Sequence, residues 1–126
     1  MERVLGIGGF FFKATDAPAL SAWYAEHLGV GAPPDSYGGE VWTPDGGATV
    51  FAPFGGADAE SPYLGPAGWG INFRVGDLDA MAAQLRAAGI EVEIDAEDYP
   101  IGRFAQLHDP EGNAIQLWEP ADGPNR

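Results

Sequence analysis

The chain contains no cysteine, which excludes disulfides, thiolate nucleophiles and Cys-ligated zinc. It is poor in cations, with six Lys and Arg against nineteen Asp and Glu and a net charge of −13. Affinity for nucleic acid comes mainly from neutralised phosphates, so no basic face for such a partner is expected. No apolar run reaches the roughly eighteen residues of a membrane span, and no long apolar stretch follows basic residues near the start, as a secretory signal requires. The expectation is a soluble cytoplasmic protein with no nucleic-acid or membrane partner. Imidazole is equally scarce: His27 and His108 are the only two histidines.

What is present is ordinary for a globular domain. At 126 residues, 45% of them hydrophobic and 12% aromatic, the chain can build one sizeable core. Val4 to Ala14, with three consecutive phenylalanines, reads as a strand buried on both faces. Thr15-Asp16 caps a helix whose first turn tolerates Pro18. Leu20, Trp23, Tyr24, His27 and Leu28 fall at helical spacing, and Gly29 ends the element. Glu40 to Thr43 and Ala48 to Phe54 flank Pro44-Asp45-Gly46-Gly47 as a hairpin. Residues 55–68, rich in Gly, Pro and Ala, read as a linking loop.

The order then repeats. Trp69 to Val75 reads as a strand, Gly76-Asp77 as a cap, and Leu78, Met81, Leu85 and Ala88 as the apolar stripe of a helix ended by Gly89. Ile90 to Ala96 alternates as a strand. Phe104 to His108 and Ala114 to Glu119 form a second hairpin around Asp109-Pro110-Glu111-Gly112-Asn113. In that turn the Asp109 carboxylate accepts from the backbone two residues on, and Gly112 supplies the positive φ. Phe12-Lys13-Ala14-Thr15-Asp16 matches Phe73-Arg74-Val75-Gly76-Asp77 at an offset of 61. Gly29-Val30 matches Gly89-Ile90, so the chain is an internal repeat of β-α-β-β-β.

Two such units, with Trp23-Tyr24-Ala25-Glu26-His27-Leu28-Gly29 ending the first helix, Asn72-Phe73-Arg74-Val75 opening the second unit and the Arg103–Pro120 hairpin closing it, resemble the vicinal oxygen chelate superfamily. That superfamily includes glyoxalase I, bleomycin-resistance proteins and extradiol dioxygenases. The resemblance implies an α+β fold in which two βαβββ modules, residues 4–54 and 69–120 joined by 55–68, form a curled sheet around a central cleft. It also implies a divalent ion held by four side chains, acting as a Lewis acid on neighbouring substrate oxygens. Carried onto this chain, the ligand positions fall at Gly9, within residues 48–53, at Gly70 and at Gln116, where Glu is usual. Two are glycines, and residues 48–53 contain no carboxylate, imidazole or amide. The expectation is therefore no metal and no cofactor.

Strand parity names a cleft lining. If Gly9, Gly70 and Gln116 point inward, so do Phe11, Lys13, Asn72, Arg74, Ala114 and Trp118. Phe104, Gln106 and His108 join them, because Ala105 and Leu107 suit the helix side, while Trp42 and Tyr99 sit where a ligand could be covered. The expected substrate-binding set is Phe11, Lys13, Trp42, Asn72, Arg74, Tyr99, Phe104, Gln106, Gln116 and Trp118. His108 either reaches the cleft as a catalytic acid or base or hydrogen-bonds the Asp109 turn. His27, in a last helical turn, suits the helix dipole.

Three functions compete. The first is a metal-free protein of the glyoxalase/bleomycin-resistance group that binds a small oxygen-rich organic molecule, neutral or anionic. The second is a lyase, isomerase or dioxygenase of the same superfamily with an altered metal site or His108 as acid/base. The third is a dimerisation module without a ligand. The resemblance also implies a homodimer.

Overall fold

The computed structural model describes residues 1–31 and 42–121. The elements run α1 (Ala17–Leu28), β1 (Gly70–Arg74), α2 (Leu78–Ala87), β2 (Glu93–Ile94), β3 (Gly102–His108) and β4 (Ala114–Pro120). A 3-10 turn, Gly56–Glu60, interrupts the expected loop. The fold is α+β: a curled, unclosed four-stranded sheet in the order β1-β4-β3-β2, with β1 parallel to β4 and the other pairs antiparallel.

The helices begin and end where their capping residues dictate. Asp16 accepts from the Ala19 amide at 3.1 Å and Asp77 from the Ala80 amide at 2.9 Å, each satisfying a first-turn donor that has no partner inside its helix. Past the helix ends, Gly29 and Gly89 take left-handed φ values of 73° and 83°. A carboxylate from the β3–β4 hairpin also reaches each N-terminus. Glu111 accepts from the Thr15 and Asp16 amides at 2.7 and 2.9 Å, and Glu119 accepts from the Leu78 amide at 2.7 Å. Both placements suit the positive end of the helix dipole.

One face of the sheet carries the core. Ala105, Leu107, Ile115 and Leu117 project from β3 and β4 onto Leu78, Ala82 and Leu85 of α2 and Leu20 and Tyr24 of α1. In α2 the buried positions are spaced by four and three residues, one turn apart, so they share a stripe. Met81 is only partly buried and Ala88 is exposed, so Ala82 takes the place expected of them.

The β3–β4 turn is built as the residues require. Gly112 has φ 84° and its amide donates to the Asp109 carbonyl at 2.9 Å. Asp109 is only 4% exposed, and its carboxylate accepts four hydrogen bonds. These come from the Glu111 amide (2.8 Å), the Asn113 amide (3.0 Å), the Asn113 side chain (2.7 Å) and the Tyr24 hydroxyl (2.7 Å). The last bond ties α1 to the hairpin across 85 residues.

Several expected strands are shorter or not formed. β2 is only Glu93–Ile94 rather than Ile90 to Ala96. The chain turns at Asp95, whose carboxylate accepts from the Glu97 amide at 3.1 Å, an Asx turn that draws the backbone off the ladder. Residues 4–14 and 42–54 carry no strand. An extended segment becomes a strand only when a neighbour bonds its backbone, and the expected partners include Glu40 and Val41, which lie outside the described residues. Phe10 and Phe12 instead set their rings against Trp69, at centroid distances of 5.1 and 4.9 Å.

Candidate functional site

The sheet face opposite the helices follows from the pairing register. Side chains of paired residues share a face, and that face alternates along each strand. Three rows result: Gly70, Ala114 and His108; Asn72, Gln116, Gln106 and Glu93; Arg74, Trp118 and Phe104. Seven of the eleven expected site residues, Asn72, Arg74, Phe104, Gln106, His108, Gln116 and Trp118, therefore lie together.

The middle row is made of amides. Asn72 donates from Nδ2 to Gln116 Oε1 at 2.7 Å. Gln106 donates from Nε2 to the Pro62 carbonyl at 2.6 Å. The third row is aromatic: Phe104 and Trp118 have nearly parallel rings, 9° apart with centroids 6.2 Å from each other. Trp118 is oriented by its indole N–H, which donates to the Ile101 carbonyl at 2.8 Å. Tyr99 sets its ring edge-on to Phe104 at 5.9 Å, so it joins the aromatic end from the β2–β3 loop. Its hydroxyl donates to Asp95 at 3.0 Å, and that bond raises the Tyr99 phenol above its ordinary pKa.

Arg74 donates to the carbonyls of Asp45 and Gly46, at 2.9 and 3.4 Å. Backbone carbonyls orient a guanidinium without cancelling its charge, so it still raises the potential at that end of the face. Glu93 opposes it at the far edge on β2. His108 is exposed at the strand end. The Asp109 turn takes its four side-chain bonds from Tyr24, Glu111 and Asn113 rather than from His108.

Three expected residues are placed elsewhere. Phe11 is 93% exposed, with its ring folded over Gly9. Lys13 is exposed on the same strandless segment, so the strand face on which the repeat makes it equivalent to Arg74 is not formed there. Trp42 sets its ring edge-on to Phe73 at 6.4 Å, and Phe73 belongs to the helix-facing row with Leu117.

The residues present do not fit the metal that the resemblance implies. Gly9 offers no donor, and a Cβ added at Gly70 would collide with the Tyr63 carbonyl oxygen. Gln116 Oε1 is already engaged by Asn72. Among the described residues no three His, Asp or Glu side chains converge as a metal group.

Sequence reasoning missed the parts that cover this face. The partners of Gln106 and Arg74 are loop carbonyls, which carry no side-chain signal; the glycine at position 70 was the available trace. A cavity of about 230 Å³, lined by Asp98, Tyr99, Gly102, Arg103, Glu119 and Ala121, lies beside the open end of the hairpin and shares only Tyr99 with these rows. Its one cation is committed, since Arg103 makes two bonds to Asp79, at 3.0 and 3.1 Å. That pairing holds the Asp79 carboxyl below its usual range. We place the candidate site on the amide and aromatic rows, where side chains from β1, β3 and β4 converge.

Residues 9–118 match the family described as a glyoxalase-like domain. CFP32 of Mycobacterium tuberculosis, a glyoxylase by name, is 44% identical over 64 residues, which are 49% of this chain and 24% of that protein. The likeness therefore reaches only a minor part of that longer relative. A glyoxalase/bleomycin resistance protein from Streptomyces sp. CB03234 is 38% identical over 40% of this chain and 43% of its own, with a TM-score of 0.36. TnmS3, an antibiotic binding protein from the same Streptomyces, superposes over 96% of this chain and 100% of its own at a TM-score of 0.60 and 23% identity. The fold shared with it is the glyoxalase/bleomycin-resistance fold.

Proposed function

Because the chain belongs to the glyoxalase-like domain family, we propose that it binds a small oxygen-rich organic molecule, neutral or anionic, on the sheet face opposite its helices. The observation that carries this reading is the Asn72–Gln116 amide pair set beside the parallel Phe104 and Trp118 rings. A face meant only to pack a core would be apolar, as the opposite face is. Here amides supply both donors and acceptors, aromatic rings supply a flat surface, and Arg74 supplies positive potential. A few fixed polar groups beside apolar surface is the usual make-up of a small-molecule site.

We carry the two-module organisation, residues 4–54 and 69–120, as part of the same proposal, supported by the equivalent caps of α1 and α2. The exposed apolar side chains of Val4, Leu5, Ile7 and Phe11 support a homodimer in which a second copy covers them. Among the described residues no helix is long and apolar enough to cross a membrane.

The test is a calorimetric titration of small phenols and aromatic carboxylates beside a bleomycin-type cation, with Arg74→Met as control. Binding of the phenols or carboxylates, weakened in Arg74→Met, is expected. Tighter binding of the cation, unchanged by the substitution, would show that the net charge of −13 governs selection instead. Turnover of a bound molecule that is lost in His108→Gln would favour the enzyme reading.

A further inference from the structure

The face is not open along its whole length, and the segment before β1 is what closes it. Two observations place residues 61–65 over the Gly70 end. First, Gly70 belongs to the row that faces away from the helices, so an added Cβ would project from that face; the atom it would strike is the Tyr63 carbonyl oxygen, with Leu64 Cα at 3.6 Å. Second, Gln106, two residues from His108 on the same face, donates to the Pro62 carbonyl at 2.6 Å. Gly65 continues the contact, since a Cβ there would stand 3.3 Å from the Ala114 amide nitrogen. Ala114, on the same row as Gly70, is buried. The segment is braced internally as well: the Gly65 amide donates to the Trp69 carbonyl at 2.7 Å and the Leu64 amide to the Ser61 carbonyl at 3.1 Å.

We propose that residues 61–65 form a strap that determines ligand size at this site by occupying the space over Gly70 and Ala114, so that a ligand lying over β1 and β4 has only the amide and aromatic rows available, while His108 at the β3 end of that row stays exposed. The proposal rests on the binding reading above. The dimensions follow from sheet geometry. Successive same-face rows are about 6.8 Å apart along a strand, and β1, β4 and β3 together span about 9.6 Å across. A platform of that size takes one or two fused rings lying flat. A third fused ring along the strand direction would meet Tyr63 or Pro62. The favoured ligands are therefore one-ring or two-ring planar molecules carrying hydroxyl or carboxylate groups.

Gly70→Ala is the strap-lifting variant, because its Cβ needs the space of a backbone carbonyl that cannot rotate away as a side-chain tip would. Hydrogen exchange of the Leu64 and Gly65 amides is read in the unliganded wild type and in the variant. Affinities are read in both for 4-hydroxybenzoate, 6-hydroxy-2-naphthoate and anthracene-2-carboxylate. The expected result is at least tenfold faster exchange of both amides in Gly70→Ala. With it, anthracene-2-carboxylate should bind wild type at least tenfold more weakly than the smaller probes and gain at least tenfold in the variant. If Gly70→Ala does not fold, Gln106→Met, which drops the bond to Pro62 without a steric demand, is read by exchange of the same two amides alone, with the same tenfold expectation, because Gln106 also belongs to the ligand face. Unchanged exchange in a folded variant, or wild-type binding of all three probes with equal affinity, would overturn the strap while leaving the binding reading intact. Absence of binding by any probe to either protein would overturn the binding reading and the size filter together, whatever the exchange shows.

Discussion

Replacing Asp109 should cost this protein a large part of its stability, and the cost can be apportioned from its four bonds. In Asp109→Ala all four donors lose their acceptor. The Glu111 and Asn113 groups sit in a turn whose Pro110 and Gly112 are exposed, so water can replace the carboxylate there at modest cost. Tyr24 is 8% exposed, and its hydroxyl has no such recourse. A buried donor left unpaired costs about 1–3 kcal/mol, and each bond to a charged acceptor contributes about 1.5–3 kcal/mol. Water recovers part of the turn's share, so Asp109→Ala should lose about 3–5 kcal/mol. Asp109→Asn keeps an acceptor for the two backbone amides but turns an N–H group toward Tyr24 and Asn113. Both can adapt, the hydroxyl by rotating and the amide by flipping, so the loss should be about 1–3 kcal/mol. Tyr24→Phe removes the hydroxyl and leaves no buried donor behind, for about 1–2 kcal/mol. Urea melts of the single variants and of Tyr24→Phe/Asp109→Asn give the coupling between the two positions. A coupling above about 0.5 kcal/mol is expected, because additivity to that level belongs to residues that do not touch. Additive effects, or a loss under about 0.5 kcal/mol for Asp109→Asn, would refute the buried tether.

Further outcomes follow from single features. Gly112→Val should cost about 1–3 kcal/mol through backbone strain at φ 84°, since an added Cβ there meets nothing within 4 Å; an unchanged urea midpoint would contradict the turn geometry. Burial, reinforced by the Asp109 carboxylate, raises the Tyr24 phenol well above its ordinary pKa of 10.0. Such a group stabilises the fold fully below the unfolded value, and that stability is lost as pH rises above it toward the raised folded value. Wild type should therefore lose stability above pH 10 more steeply than Tyr24→Phe, and parallel pH profiles would contradict the shift. Protein purified without chelator should hold no stoichiometric divalent metal, given the glycines at positions 9 and 70; elemental analysis finding one Zn, Ni, Fe or Mn per chain would contradict that expectation.

The helices were legible because their signals are local. Asp16 and Asp77 cap, Gly29 and Gly89 end, and the apolar spacing between them needs no distant partner. The β3–β4 hairpin was legible for the same reason, since Asp109 and Gly112 prescribe its turn. Period two alone sets Asn72, Gln116, Gln106, Phe104 and Trp118 on one face. What the residues could not announce was pairing at a distance. Whether Val4 to Ala14 forms a strand depends on a neighbour's backbone, not on its own phenylalanines. The tether from Tyr24 to Asp109 joins a helical position, read only as part of an apolar stripe, to a turn residue read only for its local bonds. The strap over Gly70 acts through carbonyls, which every residue has, so only the missing side chain beneath it left a mark.

The central claim is that a small oxygen-bearing ligand lies on the amide and aromatic rows. Its most direct test is a protein-observed NMR titration of 15N-labelled protein with 4-hydroxybenzoate and 6-hydroxy-2-naphthoate. Saturable shifts of the Asn72, Gln106 and Gln116 side-chain amides and the Trp118 indole N–H are predicted, with α2 signals unmoved. Saturable binding whose shifts fall on the helices or around Asp98 and Arg103, with those four groups unmoved, would contradict it.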